Sequence, residues 1–293
     1  MRETHNDIDQ QPQKAANDTK PVNQQVKEGA DSLAKEVQEE VAGARRSWYQ
    51  TIRWGRVLLT VNVILLALFA LLAWWVSLHP VLNIDVAITR EFQENQSPWL
   101  STPMYAASYI GSTPLLSTAL IILAAVIFWI GRLRLEALTI LFVSATSAII
   151  NYIIKIIVDR PRPNASLVEI LQHASGASFP SGHVMSYLAF WGLLFSFAII
   201  LFKGNRWWRI ALLIVPALFV VLVGPSRIYL GDHWASDVLG GYIFGGVWLS
   251  ICLWFYLQLK HKGVLVHKRR RGEPIDPKEP PSQNVPDPSI SKT

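Results

Sequence analysis

Charged residues are scarce in this sequence. Asp, Glu, Lys and Arg make up 16% of its 293 residues, whereas 51% are hydrophobic. Because a soluble domain usually carries about 25% charged residues, the shortage argues against a soluble protein and predicts a membrane protein. Cysteine is nearly absent as well. Cys252 is the single cysteine, which excludes a disulfide within the chain.

Long apolar stretches are missing from both ends of the chain. Residues 1–47 are polar and rich in Gln, Asn, Asp, Glu and Lys, and residues 261–293 contain a basic run followed by six prolines. Segments of this composition cannot bury a core. The sequence therefore predicts two polar, largely disordered tails around a membrane domain that covers residues 48–260.

Six apolar runs occupy the membrane domain. They lie at about 57–78, 114–130, 135–158, 184–202, 210–223 and 238–259. A spanning helix needs about 20 residues, with a range of about 17–25. The fifth run is short, but the stretch 226–230 can extend it. We therefore predict an all-α, polytopic integral membrane protein with six transmembrane helices in a bundle.

The basic residues predict how these helices cross the membrane. Lys and Arg cluster before the first run, between the second and third, between the fourth and fifth, and after the sixth. With six spans, all four segments fall on one side, which the positive-inside rule predicts to be cytoplasmic. We therefore expect a cell-membrane protein with both termini in the cytoplasm. The net charge of +6 flanks apolar runs, so it indicates membrane orientation and no nucleic acid partner.

Three short polar clusters fall on the opposite, extracytoplasmic side. They are Lys155 with Arg162-Pro163, then Pro180-Ser181-Gly182-His183, and finally Ser226-Arg227 with His233 and Asp237. Charge beside lipid is costly, so such a concentration indicates a functional site. Phosphoryl transfer requires neutralised phosphate oxygens, an in-line nucleophile and a protonated leaving group. These clusters contain residue types for all three tasks.

The two histidines suit the proton transfer and the attack. His233 and Asp237 are four residues apart, so on a helix they share one face. Asp237 can then accept from one imidazole nitrogen and leave the other free to attack phosphorus. His183, at the start of an apolar run, suits a general acid that stays protonated beside a bound phosphate.

The remaining cluster residues suit phosphate binding. Arg162 lies between two prolines that restrict its backbone, although Arg160 competes with it for this role. A bland interpretation also exists for each residue, such as a snorkelling lysine at 155 or a helix-capping serine at 181. The residues expected to bind phosphate are Lys155, Arg162, Ser181, Gly182 and Arg227.

Together the clusters resemble the motifs of the type 2 phosphatidic acid phosphatase superfamily: Lys-x6-Arg-Pro, Pro-Ser-Gly-His and Ser-Arg-x5-His-x3-Asp. All three match without a departure, and the resemblance covers about residues 57–259. It implies a six-helix membrane core and metal-independent hydrolysis of a phosphomonoester or pyrophosphate through a phosphohistidine. His233 would be the nucleophile and Asp237 the residue that orients it. His183 would be the acid, and later the base for water.

The expected function is therefore a lipid phosphate phosphatase, with phosphatidate, phosphatidylglycerophosphate or a polyprenyl diphosphate as substrate. The alternatives are a lipid phosphotransferase, a haloperoxidase-like oxidoreductase, and a transporter or silent scaffold. Intact His183, His233 and Asp237 argue against a silent scaffold, and six spans argue against a haloperoxidase, which is usually soluble. The clusters contain no paired carboxylates that suit Mg²⁺, so no metal or other cofactor is expected. Asp159 and Asp232 are interpreted as isolated acids at a helix end or in a loop.

Overall fold

The computed structural model describes residues 55–203 and 207–265, so the predicted tail 1–47 and most of the tail 261–293 lie outside the described residues. Within the described stretches the chain forms helices and no strands. The helices are α1 (Gly55–Leu78), α2 (Asn83–Gln93), α3 (Pro98–Ser112), α4 (Pro114–Ile130), α5 (Arg134–Val158), α6 (Gly182–Tyr187), α7 (Leu193–Leu201), α8 (Trp207–Tyr229) and α9 (Ala235–His261). A π-helical turn at Leu188–Gly192 joins α6 to α7.

The predicted membrane fold is confirmed. Among the described helices, α1, α5, the joined α6 and α7, α8 and α9 are long and apolar enough to cross a membrane. The predicted second span corresponds to α4, which has 17 residues. It counts as a span only together with α3, from which it is bent by 75°. The bend falls at Thr113, which precedes Pro114 and is extended rather than helical, as residues before proline prefer.

Helix α8 is longer than the apolar run that predicted it. It continues to Tyr229, although Pro216 and Pro225 lie inside it. As a result, Arg227 belongs to the last helical turn instead of the following loop. This extension through 226–229 agrees with the expectation that the short fifth run could be lengthened, and it fixes Arg227 on a rigid element.

The joined α6 and α7 form the centre of the bundle. In the most apolar 18-residue stretch of this segment 61% is buried, compared with 6% in the corresponding stretch of α1. Its side chains pack with residues of α5 and α9 around Leu193, Phe197 and Leu201, which are inaccessible to solvent. Burial of such apolar surface, together with close packing, holds the segment rigidly. His183 and Ser181 lie at one end of this central segment.

The segment between α1 and α4 contains two helices, α2 and α3, that the apolar runs did not predict. Helix α2 buries Asp85, Thr89 and Gln93, which recur every four residues on one face. Gln93 Nε2 donates to the carbonyl oxygen of Tyr229 at 3.0 Å, and Gln93 Oε1 accepts from the backbone N–H of Glu169 at 3.1 Å. Helix α2 is therefore fastened by polar contacts to the loops at one end of the bundle.

The loops 159–181 and 230–234 meet at that same end. The backbone N–H of Leu171 donates to the carbonyl of Leu230 at 3.0 Å, and that of Ser181 donates to the carbonyl of Asp237 at 3.0 Å. Gly231 has a φ of +71°, and a Cβ there would lie 2.1 Å from the carbonyl oxygen of Glu169. Only glycine allows this approach. The loops bring the three polar clusters together, and we call this the site end of the bundle.

Candidate active site

The pair formed by His233 and Asp237 has the predicted contact but not the predicted geometry. His233 lies in the loop before α9, and Asp237 lies in the first turn of that helix. Asp237 Oδ2 turns back over the helix start, 2.9 Å from the backbone nitrogen of Trp234 and 3.5 Å from His233 Nδ1. The two residues therefore do not share a helical face. They meet because a carboxylate near a helix start accepts free backbone N–H groups.

The other nitrogen of His233 faces a guanidinium. Arg162 Nη1 lies 3.4 Å from His233 Nε2 and donates to the carbonyl of Asp232 at 2.8 Å, while Arg162 Nε donates to the carbonyl of Gly176 at 3.0 Å. Two loops thus hold Arg162 beside the imidazole. Arg162 thus lies beside His233, whereas its competitor Arg160 contacts Asp237 and Asp85.

The surroundings of His233 favour the neutral form of its imidazole. Its side chain is 2% exposed, and burial lowers its pKa well below the usual value, helped by the positive charges of Arg162, Lys155 and Arg227. Both effects disfavour the imidazolium. A neutral imidazole with Nδ1 directed at a carboxylate keeps the lone pair of Nε2 available. This state is the one that a nucleophile requires.

The predicted phosphate ligands surround the same place. Lys155, near the end of α5, donates through Nζ to the carbonyl oxygens of Ala177 and Ser178, the latter at 3.3 Å. Arg227 forms an ion pair with Asp232 and donates to Ser108. Asp232 lies in a loop as expected, but it is not an isolated acid.

The Pro-Ser-Gly-His cluster occupies the start of α6. Ser181 is the N-cap residue, yet its side chain makes no capping hydrogen bond. Its buried Oγ has no hydrogen-bond partner among the described residues, which leaves it available to a ligand. At Gly182 a Cβ would lie 2.9 Å from Asn151 Oδ1. Glycine is therefore needed here for close packing between α5 and α6, a reason that the sequence did not suggest.

His183 is held by α3, which the sequence did not predict. Ser112 Oγ lies 3.2 Å from His183 Nε2 and accepts from Gln172 Nε2 at 2.8 Å. A Cβ on Gly111 would lie 2.4 Å from His183 Cδ2, so α3 packs directly against the imidazole. The bend between α3 and α4 thus contributes one wall of the site.

Sequence reasoning missed a second set of residues, which lies behind His233 and Asp237. The sequence suggested Arg160 only as a competitor of Arg162 for phosphate binding. In the structure Arg160 is 1% exposed and forms ion pairs with Asp237 at 2.6 Å and Asp85 at 2.8 Å. Removing a buried arginine from two buried carboxylates is costly, because it leaves their charges without compensation. Ser178 Oγ also donates to Asp237 Oδ2. The only signal in the sequence was that Ser178 lies close to the Pro-Ser-Gly-His cluster.

Comparison with known proteins identifies the family. The model of the PAP2 superfamily matches residues 136–260, which include all three clusters. Phosphatidylglycerophosphatase B of Bacillus subtilis (strain 168) is 32% identical over 184 residues, which are 62% of this chain and 88% of that protein. Undecaprenyl-diphosphatase BcrC of the same strain is 30% identical over 137 residues, or 46% of this chain and 65% of that protein.

A solved structure is also similar. It is the crystal structure of the first transmembrane PAP2 type phosphatidylglycerolphosphate phosphatase from Bacillus subtilis, with 27% identity and a TM-score of 0.57 over 72% of this chain and 98% of that chain. The resemblance inferred from the three motifs is thereby confirmed, and so is the assignment as a phosphatase that cleaves phosphoester or diphosphate bonds. This chain belongs to the PAP2 superfamily and is one of its membrane lipid phosphatases.

Proposed function

We propose that the protein removes the terminal phosphate of a membrane lipid at the extracytoplasmic face, through a phosphohistidine on His233. The observation that carries this proposal is the asymmetry around that imidazole. Its Nδ1 faces Asp237 at 3.5 Å, whereas its Nε2 faces Arg162 at 3.4 Å. A nucleophilic histidine needs a carboxylate to orient one nitrogen, and its other nitrogen must face the place where the phosphate binds.

The proposed reaction has two steps. In the first, His233 Nε2 forms a bond to phosphorus, the bond to the leaving oxygen breaks, and His183 donates a proton to that oxygen. In the second, His183 takes a proton from water, the water oxygen attacks phosphorus, and the phosphorus–nitrogen bond breaks to release phosphate. Asp237 stabilises the positive charge that the imidazole gains. Lys155, Arg162 and Arg227 neutralise the phosphate oxygens in both transition states.

The substrate that we propose first is phosphatidylglycerophosphate. The relative with 88% of its length matched, and the similar solved structure, are both named for that activity. Undecaprenyl diphosphate is the second candidate, because another relative is named for it. Both lipids present a terminal phosphate at the membrane surface. A site at the end of an apolar bundle suits such an amphiphile, because its chains stay in the bilayer.

The proposed face follows from the distribution of basic residues along the helices. Arg132 lies between α4 and α5, Arg134 begins α5, Lys203 follows α7, and Lys260 lies in the last turn of α9. These positions are at the helix ends opposite to the site end, so the positive-inside rule directs the site outward. In a Cys252→Ala background, a cysteine at residue 175 should react with an impermeant reagent added outside cells. A cysteine in the C-terminal tail should react only after lysis, and labelling of both from outside contradicts the proposed topology.

The reaction is proposed to need no metal ion. Among residues 55–203 and 207–265, no three His, Cys, Asp or Glu side chains are grouped as metal ligands. The residues that would neutralise a phosphate are Lys155, Arg162 and Arg227, which can take the place of a divalent cation. Full activity in excess EDTA is therefore expected, and a loss that Mg²⁺ restores would contradict this part of the proposal.

One assay tests the proposed function as a whole. Purified protein in detergent with EDTA is given phosphatidylglycerophosphate, phosphatidate and undecaprenyl diphosphate, and released phosphate is measured. We expect turnover with at least one of them and an acid-labile phosphoenzyme with the labelled substrate. Transfer of the label to an added acceptor lipid instead of water would identify a phosphotransferase. Absence of a phosphoenzyme during rapid turnover would contradict the phosphohistidine route.

A further inference from the structure

We infer that Arg160 and Asp85 are positioning residues, which act through Asp237 to fix the orientation and charge of the nucleophile His233. The inference rests on the proposed role of His233. Neither residue touches the proposed phosphate position, and neither belongs to the three sequence motifs. What places them in the mechanism is a continuous chain of buried charged contacts that ends at His233.

The first link is Arg160, which lies two residues after the end of α5 at Val158. Its Nη1 donates to Asp237 Oδ1 at 2.6 Å and to Ser236 Oγ at 2.7 Å, and its Nε donates to the carbonyl of Pro80 at 2.9 Å. Arg160 takes Oδ1, so Oδ2 is the oxygen that faces His233 Nδ1, and Oδ2 also accepts from the backbone N–H of Trp234 and from Ser178 Oγ. The guanidinium therefore selects which carboxylate oxygen orients the imidazole.

The second link is Asp85 on α2. Its Oδ2 accepts from Arg160 Nη2 at 2.8 Å and from Ser236 Oγ at 2.6 Å, and its Oδ1 accepts from the backbone N–H of Ser236 at 2.9 Å. Asp85 thus binds both Arg160 and the first turn of α9, which is the helix that contains Asp237. A carboxylate held by three donors is a stiff support for the guanidinium.

The three charges alternate in sign, and this gives the chain an electrostatic role. Asp85, Arg160 and Asp237 have side chains that are at most 2% exposed, so solvent screens them weakly. Arg160 favours the ionised form of Asp237 and offsets part of its charge as felt by His233. Asp85 in turn offsets part of the charge of Arg160. Removing either one changes the net charge behind the imidazole, and the two changes have opposite signs.

Other charges also face His233 and must be held constant in any test. Arg162 and Asp237 contact the imidazole directly, and Lys155 and Arg227 act on it through their charges. His183 is coupled to His233 in the same way. The charged or titratable groups near His233 are therefore Lys155 of α5, Arg162 of the following loop, His183 of α6, Arg227 of α8 and Asp237 of α9. Arg160 lies behind Asp237, and Asp232 is paired with Arg227.

The test compares Arg160→Gln, Asp85→Asn and the double variant. The measurement is kcat/KM against pH with short-chain phosphatidylglycerophosphate in detergent, because its acid limb reports the free enzyme's base. Loss of a positive charge raises the pKa of His233, so Arg160→Gln should move the acid limb up by about one pH unit. Loss of a negative charge lowers that pKa, so Asp85→Asn should move the limb down. The double variant keeps the net charge and should return the limb towards the wild type. Substrate ionisation is common to all the variants.

Rates supply a second readout. Partners that orient a functional imidazole typically contribute about 10- to 100-fold, so kcat should fall by that amount in Arg160→Gln and less in Asp85→Asn. Arg160→Lys should not restore kcat, because an ammonium cannot bridge two carboxylates in this geometry. The matched control is Arg90→Gln on α2, whose guanidinium donates to the carbonyl of Leu167 at 2.9 Å. It should leave the acid limb where it is.

A purely structural brace would lower folded yield or thermal stability in detergent without opposite shifts of the acid limb. Limbs that stay fixed, or move in the same direction, therefore overturn the inference. If Arg160→Gln does not fold, Asp85→Asn alone must still shift the limb downward, since Asn keeps the shape and one acceptor. The proposed function has its own test. If the wild type forms no phosphoenzyme that depends on His233, the proposed function is contradicted, regardless of how the acid limb shifts in the variants.

Discussion

Both ends of the bundle contain a buried ionic cluster, yet only one is next to reactive groups. At the site end, Arg160 joins Asp85 and Asp237. At the opposite end, Glu136 Oε1 of α5 accepts from Tyr256 Oη and Lys260 Nζ of α9, each at 2.7 Å. In both places, hydrogen bonds compensate charges that have left water, as burial requires.

The difference is what each cluster is connected to. The cluster at Glu136 is completed by a contact of 2.7 Å between Lys260 and Tyr256, so its contacts join α5 to α9 and its consequence is stability. The cluster at Arg160 continues through Asp237 to a buried imidazole, whose other nitrogen faces Arg162. A buried ion pair by itself therefore says little about function. Its connection to a titratable imidazole whose surroundings favour the neutral form is what indicates chemistry.

The largest effect is expected from His233→Ala at the site end. Without the imidazole no covalent intermediate can form, so released phosphate should fall below about 1% of the wild type, as when a single nucleophile is removed from a catalytic group. The phosphoenzyme should disappear as well. His261→Ala, at the opposite end of α9, is the matched control and should keep most of the activity. Retained turnover in His233→Ala would show that another group attacks phosphorus.

His183→Ala should have the next largest effect, and its size should depend on the substrate. General acid catalysis typically contributes about 10²- to 10⁴-fold, and a phosphomonoester has a poor leaving group that needs the proton. With a lipid diphosphate the leaving group is the lipid monophosphate, which is a better leaving group and depends less on protonation by His183. The loss in kcat should therefore be smaller for undecaprenyl diphosphate than for phosphatidylglycerophosphate. Equal losses on the two substrates would contradict the assignment of His183 as the acid.

Lys155, Arg162 and Arg227, which we call the cationic clamp, should be sensitive even to conservative changes. Arg162→Lys and Arg227→Lys should each lower kcat by about 10- to 100-fold, because a point charge cannot replace the planar fork that matches phosphate oxygens. Vanadate, which resembles five-coordinate phosphorus, should inhibit both variants more weakly than the wild type. Arg134→Lys is the control at the opposite end, where the guanidinium lies 5.4 Å from the ring centre of Trp129. Unchanged vanadate inhibition in the clamp variants would remove these arginines from the proposed site.

The sequence predicted the parts of the molecule whose signal is local. Apolar runs have a length set by the bilayer, so α1, α5, α8 and α9 were found. Three motifs placed the histidines and cations at one end. Helix α2 could not be found in this way, because its buried face carries Asp85, Thr89 and Gln93, polar residues that read as a solvated loop. The polar burial makes sense only with its partners, which lie more than 70 residues away.

The roles of individual residues were predictable to a lesser degree. Spacing suggested that His233 and Asp237 meet, but the contact arises at a helix start and not on a helix face. Arg160 and Arg162 flank Pro161, and in the sequence only the motif position and the second proline, Pro163, distinguish Arg162 from Arg160. Only the fold directs one inward to Asp85 and Asp237 and the other towards His233 Nε2. Tertiary partners therefore decided what the local pattern left open.

The smallest effect on catalysis is expected at the opposite end. Glu136→Gln removes the charge that Lys260 contacts but keeps a side chain of similar shape that can still accept hydrogen bonds. Leaving a partly buried ammonium without its counter-charge should cost about 1–3 kcal/mol of stability, moderated because the lysine stem can reach towards the interface. We expect a lower apparent Tm in detergent and a kcat within about twofold of the wild type. The position of the acid limb of kcat/KM should not move, in contrast to Asp85→Asn. If Glu136→Gln instead lowers kcat as strongly as the clamp variants while the protein remains folded, the two ends are energetically coupled, and the contrast between a stabilising cluster and a positioning cluster does not hold.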